Sequence, residues 1–418
     1  MGIEVYRGNI VYSETQEKMA EHRKSFIIVC DGVVEDICPV LPEKYALCTV
    51  TDFGDDVIIP AFSDLHVHAP QYPQRGLAMD ALLSDWLNRY TFPLEARYAD
   101  PEFARQVYQA FTDDMIEHGT MHAVIFGTIH REGTGLLLSD LERRGLPAFV
   151  GKVNMDTGSP PYLCETTGES IKETEAFLEQ YADNHCARPI LTPRFAPTCT
   201  MELLKGLGKL AQKYDVGVQT HLVESKWEKA EAMRLFEECG SDTGIYKEAG
   251  LLENGPVIGA HFIYPEDEDI RILKECGGYA VQCPDATVNV IAGIMATKAL
   301  SKKGIRLGLG SDIAGGHNLG IYSQISRSVQ LSKIRGFYDQ DESAAISFAQ
   351  AFYMATKGGG SLFGKVGSLE KGYAFDALVI GGVGDPFMKL SPIQMVERFC
   401  YLGETCNIHA RYLKGRKL

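Results

Sequence analysis

One segment indicates much of the architecture of this chain: Asp56-Val57-Ile58-Ile59-Pro60-Ala61-Phe62-Ser63-Asp64-Leu65-His66-Val67-His68. Its first half is short, apolar and β-branched, which is typical of a buried strand. Successive side chains of a strand point to opposite faces, so His66 and His68 share one face. We therefore predict a strand over residues 57–66 that delivers two imidazoles at its carboxyl end, where they can hold one metal ion.

The middle of the chain alternates apolar strands with helical patterns, which indicates an α/β fold. Eight strands are predicted, at residues 57–66, 121–127, 147–153, 190–195, 216–221, 256–261, 279–283 and 306–311. Helices are predicted between them, among them residues 101–117, 170–183, 201–214, 226–239 and 267–276. Polar residues end several of the strands, which favours a (β/α)8 TIM-like barrel over the alternative of an open doubly wound sheet.

The two ends of the chain have a different character. Residues 1–59 and 367–418 contain short apolar segments, such as Ala377-Leu378-Val379-Ile380, and the first of these two regions has no long amphipathic helix. We expect the two ends to pair beside the barrel as the N-terminal and C-terminal parts of a small β-sandwich. The predicted catalytic barrel then spans residues 60–366.

The composition limits the partners of such a barrel. The chain has 418 residues, 45% of them hydrophobic, and a formal net charge of −14, so we expect a globular protein that binds neither nucleic acid nor an anionic membrane surface. A small neutral substrate fits this charge better. Eleven cysteines without a Cys-x-x-Cys pair, together with the lack of a signal-peptide or transmembrane pattern, predict a cytoplasmic protein with reduced thiols.

Three further strands end in side chains that can bind a metal. His221 ends the fifth predicted strand, His261 ends the sixth, and Asp312 follows the eighth. The chain has only 11 histidines, so their placement at the ends of predicted strands is hard to explain by chance. Because the active site of an α/β barrel lies at the carboxyl ends of its strands, we predict a metal site there.

We assign the metal ligands as His66, His68, His221 and Asp312. Three imidazoles and a carboxylate suit zinc or iron(II), and the sequence does not distinguish these metals. His261 is expected to contact the water or the substrate instead of the ion. A second ion would need a bridging anion such as a modified lysine, but the fourth strand ends Thr192-Pro193-Arg194-Phe195, so we expect one divalent ion.

Glu224 is the predicted proton carrier. It follows His221 by three residues, where the strand turns into the next helix. A carboxylate beside a metal-activated water can take a proton from it and pass that proton to a leaving group. The alternative is a solvated carboxylate in the first turn of a helix, but the position beside His221 favours the proton carrier.

Several motifs together resemble the guanine deaminases of the amidohydrolase superfamily. The motifs are His66-Val67-His68-Ala69-Pro70-Gln71-Tyr72, Thr192-Pro193-Arg194-Phe195, His221-Leu222-Val223-Glu224, Ala260-His261 and Gly310-Ser311-Asp312-Ile313-Ala314-Gly315-Gly316. The resemblance covers nearly the whole chain. The metal-binding set is shared broadly by the superfamily, whereas Ala69-Pro70-Gln71-Tyr72 and Pro193-Arg194-Phe195 are more specific to these deaminases.

The resemblance implies a metal-dependent homodimeric barrel, with a flanking β-sandwich, that hydrolyses guanine to xanthine and ammonia. By the same resemblance, Gln71 and Arg194 bind the purine edge and Phe195 packs nearby. These residue types suit a planar polar base, because Gln offers a donor and an acceptor and Arg offers a fixed fork of donors. Glu224 is then expected to protonate a ring nitrogen and the departing amine, while His261 and Asp312 orient and stabilise the attacking oxygen.

One loop departs from the deaminase pattern. After the seventh strand such proteins usually read Cys-Pro, a variable residue, then Ser-Asn, but this chain has Cys283-Pro284-Asp285-Ala286-Thr287. We expect this loop at the rim of the pocket, so a related purine or pterin with an exocyclic amine is the first alternative substrate. Hydrolysis of another bond and a scaffold protein without chemistry are further alternatives, and the complete ligand set argues against the scaffold.

Overall fold

The structure, a computed structural model, describes residues 2–81 and 83–418. Its strands in chain order are β1 (Ile3–Ser13), β2 (Met19–Cys30), β3 (Val33–Cys38), β4 (Val50–Pro60), β5 (Phe62–His68), β6 (Thr120–Phe126), β7 (Ala148–Gly151), β8 (Val153–Asn154), β9 (Ala187–Pro189), β10 (Thr192–Pro193), β11 (Val218–Leu222), β12 (Val257–His261), β13 (Tyr279–Gln282), β14 (Arg306–Leu309), β15 (Ala377–Ile380), β16 (Ile408–Leu413) and β17 (Arg416–Lys417). Its α-helices are α1 (Leu83–Trp86), α2 (Phe92–Ala96), α3 (Pro101–Glu117), α4 (Arg131–Arg144), α5 (Thr167–Gln180), α6 (Met201–Tyr214), α7 (Lys226–Leu235), α8 (Asp242–Glu248), α9 (Asp267–Glu275), α10 (Pro284–Asn289), α11 (Thr297–Lys302), α12 (Ile321–Asp339), α13 (Phe348–Tyr353) and α14 (Pro392–Leu402).

The two ends of the chain meet in one seven-stranded sheet with the order β17-β16-β15-β4-β1-β2-β3. β15 pairs antiparallel with β4, so that Ala377 lies opposite Pro60. The ring of Tyr6 stacks on Phe375 at a centroid distance of 4.8 Å and meets Tyr412 edge-on at 5.0 Å. The two ends therefore pair as predicted. The predicted β-sandwich is not confirmed, because the described strands at the two ends form this single sheet.

The middle of the chain has the strand order of an eightfold α/β barrel. Two four-stranded parallel sheets, β5-β6-β7-β9 and β11-β12-β13-β14, account for most of it, and β8 pairs with β10. A bridge from Leu191 to Val218 joins the two sheets on one side, and the amide of Asp312 donates to the carbonyl of His66 at 2.9 Å on the other. The hydrogen-bond ladder is not continuous around the ring. The order of the strands nevertheless shows no reversal of the kind that defines an open doubly wound sheet.

The predicted first barrel strand, residues 57–66, is wrong in its bounds. Residues 57–60 belong to β4 in the terminal sheet, and the first barrel strand begins at Phe62. The amide of Ala61 donates to Asp376 at 2.9 Å, whereas the amide of Phe62 donates to Gly119 at 3.0 Å, so the chain changes sheets between these neighbours. All residues from Val57 to His68 are buried, on both sides of this change. An apolar pattern in the sequence therefore does not reveal the boundary.

The predicted fourth strand, residues 190–195, is also wrong in its bounds. The structure has two short pieces, Ala187–Pro189 and Thr192–Pro193, which pair with β7 and β8 respectively. Proline ends both pieces and cannot donate a backbone hydrogen bond, so neither ladder continues through it.

The helix predictions are most accurate where an amphipathic pattern begins at a capping residue. α3 and α6 have the predicted bounds. The side chains of Asp100 and Thr200 accept hydrogen bonds from amides in the first turns of these two helices, which would otherwise lack partners. α6 then places Leu203, Leu207 and Leu210 on its buried face. No helix within residues 2–81 and 83–418 is long and apolar enough to cross a membrane.

A buried polar chain connects the barrel to the terminal sheet. The hydroxyl of Ser63 on β5 lies 3.1 Å from Nδ1 of His122 on β6, and Nε2 of His122 lies 2.9 Å from a carboxylate oxygen of Asp376. The other oxygen of Asp376 accepts a hydrogen bond from the amide of Lys414 at 2.6 Å. Ser63, His122 and Asp376 are fully buried and line no part of the site cavity, so they hold the strand that carries His66 in place.

Candidate active site

The side chains proposed as ligands come from strands that are far apart in the chain and converge at one end of the barrel. His66 and His68 lie at the carboxyl end of β5, and His221 is the second-last residue of β11. Asp312 follows β14 by three residues. His68 Nε2 lies 3.2 Å from His221 Nε2, and Asp312 Oδ1 lies 3.3 Å from His66 Nε2 and 3.5 Å from His68 Nε2. The structure brings all four residues together.

The spacing of these atoms fits one divalent ion. Two ligand atoms that are each about 2.0–2.1 Å from one zinc ion lie roughly 3–3.5 Å from one another. The observed separations of 3.2, 3.3 and 3.5 Å would allow these side chains to share an ion. His66 Nε2 is also buried without a hydrogen-bond partner, which is costly unless another group occupies its lone pair. The donor set and the orphaned nitrogen therefore fit a metal.

The imidazoles are in the form that a metal needs. Burial lowers the pKa of His66, His68 and His221 well below the usual 6.5, so each is neutral and keeps a lone pair. Nδ1 of His221 lies 2.6 Å from the carbonyl oxygen of Arg194. Because a carbonyl oxygen only accepts, Nδ1 carries the proton and the lone pair of Nε2 faces His68.

Asp64 fixes the relative position of the first and eighth strands, a role that the sequence did not reveal. Its carboxylate accepts hydrogen bonds from the amide of His66 and the amide of Ser311, both at 3.1 Å, and from the Ser311 hydroxyl. Burial raises the pKa of Asp64 to about 7. Asp64 lies on the same face of the strand as His66 and His68, because side chains two residues apart point the same way. This period of two is the sequence signal that could have identified Asp64.

The backbone is strained at three positions of the site. Val223, His261 and Asp312 have φ angles of 43°, 71° and 47°, in the left-handed region that non-glycine residues rarely adopt. Each position follows or ends a barrel strand. Such strain costs of the order of 1–3 kcal/mol per residue and is common where a side chain must be held toward a ligand.

Glu224 and His261 face the ligand cluster from neighbouring strands. Glu224 follows β11, and its Oε1 lies 3.7 Å from His261 Nε2, which in turn lies 3.7 Å from Asp312 Oδ2. Burial raises the pKa of Glu224 and of Asp312. A raised pKa makes a carboxylate a stronger base, which suits a group that takes up a proton.

A cavity of about 550 Å³ opens onto the cluster, which is large enough for a small molecule. The predicted site residues that line it are His68, Gln71, Arg194, Phe195, His221, Glu224, His261 and Asp312. His66 lies deeper, behind them. Leu87, Asn88 and Phe92 add a wall from the helical segment after β5, and Trp227 adds another from α7.

Gln71 and Arg194 are held by a third residue, Glu95 of α2. Arg194 donates from Nη1 to Glu95 Oε2 at 2.6 Å and from Nη2 to Oε1 at 3.2 Å. Gln71 donates from Nε2 to Glu95 Oε1 at 3.0 Å, and its Oε1 accepts from the amide of Ala314 at 3.1 Å. Sequence reasoning missed Glu95, because its two partners lie far from it along the chain.

Phe195 lines the cavity between His221 and the exposed Trp227. Its ring centroid is 6.4 Å from that of His221 and 6.4 Å from that of Trp227. The indole of Trp227 is 61% exposed. These two rings can cover an aromatic substrate that lies against the cluster.

The expectation for the loop after the seventh strand is wrong for Asp285. This residue is buried away from the cavity, where its carboxylate accepts hydrogen bonds from Gln324 at 2.8 Å and Arg327 at 3.0 Å, both on α12. Asp285 therefore anchors a helix instead of forming part of the rim. The neighbouring Cys283 does lie beside His66, His261 and Asp312, but burial raises the pKa of its thiol, which disfavours the thiolate that binds metals.

The model of the amidohydrolase family matches residues 57–418. The chain belongs to the amidohydrolase family.

Within that family the chain is similar to guanine deaminases. It is 34% identical to the guanine deaminase of Dictyostelium discoideum, over 100% of this chain and 98% of the relative, and 33% identical to that of Homo sapiens, over 87% and 83%. A solved structure of the guanine deaminase from C. acetobutylicum, with guanine bound in the active site, is 38% identical, covers 100% of both chains and superposes with a TM-score of 0.96.

Proposed function

We propose that this protein hydrolyses guanine to xanthine and ammonia. The observation that carries the proposal is that the cluster of His66, His68, His221 and Asp312 lies at the same cavity that Gln71 and Arg194 line. The full-length similarity to guanine deaminases supports guanine as the substrate, including the solved relative that has guanine bound.

One divalent ion, zinc or iron(II), is held by His66, His68, His221 and Asp312 in this proposal. When bound, the ion supplies Lewis-acid activation of water near neutral pH. The three neutral imidazoles offer borderline nitrogen donors and the carboxylate offers an oxygen donor, which is the ligand chemistry that both metals accept.

Glu224 moves the protons of the reaction. It takes one proton from the attacking water and delivers it to a ring nitrogen, and it then moves the second proton of that water, from the hydroxyl on the ring carbon, to the amine that leaves as ammonia. The bond between the ring carbon and the exocyclic nitrogen breaks as the new carbonyl forms. His261 lies 3.7 Å from both Glu224 and Asp312, where its Nε2 can orient the attacking oxygen between them.

Gln71 and Arg194 recognise the polar edge of the base. Arg194 has only donors, so it binds an acceptor such as a ring carbonyl. Gln71 keeps one amide hydrogen and one oxygen lone pair after its contacts with Glu95 and Ala314, so it can bind a donor and an acceptor together. Phe195 and Trp227 enclose the flat face of the ring.

The test is ammonia release by protein loaded with zinc or iron(II) and supplied in turn with guanine, adenine, 2-aminopurine and a pterin. We expect guanine to be the preferred substrate, because a site built to hydrogen-bond a substrate group can reject analogues that lack it by up to about 10⁴-fold. A higher kcat/KM for the pterin, or no ammonia from guanine, contradicts the proposal.

The proposal includes the assembly and the compartment. We propose a homodimer, as the resemblance to guanine deaminases implies, and sedimentation of the metal-loaded protein measures its mass. We also propose a cytoplasmic location, which is supported by eleven cysteines that are all free. A monomeric mass in solution contradicts the dimer.

A further inference from the structure

The carboxylate of Glu95 connects the two residues that recognise the substrate. It accepts two hydrogen bonds from Arg194, at 2.6 and 3.2 Å, and one from Gln71 at 3.0 Å. Arg194 comes from the end of the fourth barrel strand and Gln71 from the segment after the first strand. Glu95 itself comes from α2 and does not line the cavity, so it can act on a substrate only through its two partners.

These contacts decide which way the amide of Gln71 faces. Its nitrogen points to Glu95, which can only accept, and its oxygen points to the amide of Ala314, which can only donate. If the amide were flipped, an oxygen would face the carboxylate and an NH₂ group would face an N–H. The flipped form would place two acceptors against each other at Glu95 and two donors against each other at Ala314, so the edge of Gln71 presents a fixed order of donor and acceptor to the cavity.

The same carboxylate fixes the fork of Arg194. A guanidinium has five N–H donors, and Arg194 uses one on each terminal nitrogen to bind Glu95. Its plane is thereby set by a bidentate pair, which has more geometric specificity than a single hydrogen bond. The directions of its remaining donors are fixed with that plane, and Arg194 lines the cavity. Arg194 and Glu95 are both buried, at 6% and 3% exposure, so solvent does not compete for either group.

We propose that Glu95 is a positioning residue that sets the selectivity of this site for a 2-aminopurine ring that carries a carbonyl acceptor. The inference rests on the proposed function and deepens it. Glu95 aims Arg194 at the carbonyl oxygen and holds the amide of Gln71 in the orientation that reads the neighbouring ring positions. The recognition of the carbonyl therefore depends on Glu95, whereas the attack on the amine-bearing carbon does not.

Glu95→Gln tests this inference, because it keeps the shape of the side chain and removes the charge that excludes the flipped amide. KM for guanine is measured together with the inhibition constant of 2-aminopurine, which has no carbonyl for Arg194 to bind. We expect KM for guanine to rise by roughly tenfold or more and the inhibition constant of 2-aminopurine, which loses only the Gln71 contribution, to rise by a clearly smaller factor, while kcat changes less than about threefold. Glu102→Gln, an exposed carboxylate paired with Arg105 on α3, is the matched control and should resemble the wild type.

Glu95→Asp keeps the charge but is too short to hold both partners, and it should lose part of the discrimination between guanine and 2-aminopurine. This variant carries the test if Glu95→Gln does not fold. In Glu95→Gln, equal increases in KM for guanine and in the inhibition constant of 2-aminopurine overturn the positioning role, as does a fall in kcat at constant KM. In Glu95→Asp, wild-type discrimination between guanine and 2-aminopurine overturns it as well. If the wild type releases no ammonia from guanine, the proposed function fails first, and the wild-type measurement separates that result from a failure of the inference alone.

Discussion

Replacing Glu224 with glutamine removes the carboxylate that carries the protons but keeps the size and shape of the side chain. The carboxylate lies 3.7 Å from His261 and is not one of the groups in the ligand cluster, so the amide should leave the four ligands in place. A positioned general acid and base contributes roughly 10²–10⁴-fold to a rate, which corresponds to about 2.7–5.4 kcal/mol of activation free energy. We expect kcat to fall by that factor while KM for guanine changes less than about threefold.

Glu228→Gln is the matched control for this variant. Glu228 is a second buried carboxylate on the cavity wall, four residues further along, and its Oε2 accepts a hydrogen bond from the amide of Glu224 at 2.9 Å. The oxygen of a glutamine can accept the same bond, and burial raises the pKa of Glu228 well above its usual value, so an uncharged amide replaces it with little electrostatic change and the proposed proton carrier stays in place. We expect its kcat to stay within about tenfold of the wild type, since it acts only by positioning Glu224.

The assay is steady-state ammonia release with the metal content of each preparation measured. Metal content close to that of the wild type shows that a slow variant is not simply metal-free. If Glu224→Gln keeps near-wild-type kcat, or if Glu228→Gln is equally slow, the assignment of proton transfer to Glu224 is refuted.

Three further predictions concern the ion and stability. Removing the metal with a chelator should abolish ammonia release and lower the melting temperature, because an ion that binds only the folded protein stabilises it by about 4 kcal/mol at 1,000 times its Kd, and titration should return both at one ion per chain. Burial, with nearby Asp269, raises the pKa of Asp242 to about 7 from 3.8, so its carboxyl group contributes less stability as pH rises from about 4 to 7. Asp242→Asn should therefore be more stable than the wild type in urea, by at most about 4 kcal/mol at pH 8 and by less at pH 5. Asp376→Ala should lower the free energy of unfolding by about 3–5 kcal/mol while kcat stays within about threefold, because it leaves the buried His122 without its partner.

Each of these predictions has a result that contradicts it. Activity restored only at two ions per chain would refute the single-metal site. A stability difference for Asp242→Asn that is larger at pH 5 than at pH 8 would show that the buried carboxyl group is not protonated as its surroundings require. A loss below about 1 kcal/mol for Asp376→Ala would mean that the buried polar chain does not secure the junction between the sheet and the barrel.

The ligand cluster could be predicted from the sequence because strand geometry fixes which side chains share a face and which strand ends lie at the same rim of the barrel. The period of two placed His66 and His68 on one face, and the rule that barrel strands end at one rim brought His221 and Asp312 to them. The structure places all four within reach of one ion, although their role as ligands remains a prediction. The assignment of His261 and Glu224 as its neighbours also remains a prediction, as do the domain boundaries at residues 59 and 366.

The contacts of Glu95 and the change of sheet at Ala61 could not be predicted in the same way. Glu95 lies 99 residues from Arg194 along the chain, and no local pattern couples a short helix to the end of a distant strand. At Ala61 the side chains stay buried on both sides of the boundary, so no exposed turn marks the change of sheet. Both features depend on hydrogen bonds between residues that are distant in the chain, and a local sequence pattern does not show these partners.

The pairing of β4 with β15 bears on how the protein is synthesised. The two strands are roughly 300 residues apart in the chain, so β4 leaves the ribosome long before the neighbour that it needs in the sheet. Until Ala377–Ile380 emerges, one edge of β4 has no partner, and Asp376 is not yet available to His122. The nascent chain therefore cannot complete the support of the strand that carries His66 until residues 376–380 have been synthesised, and a chain that stops before residue 377 should aggregate instead of forming a smaller enzyme.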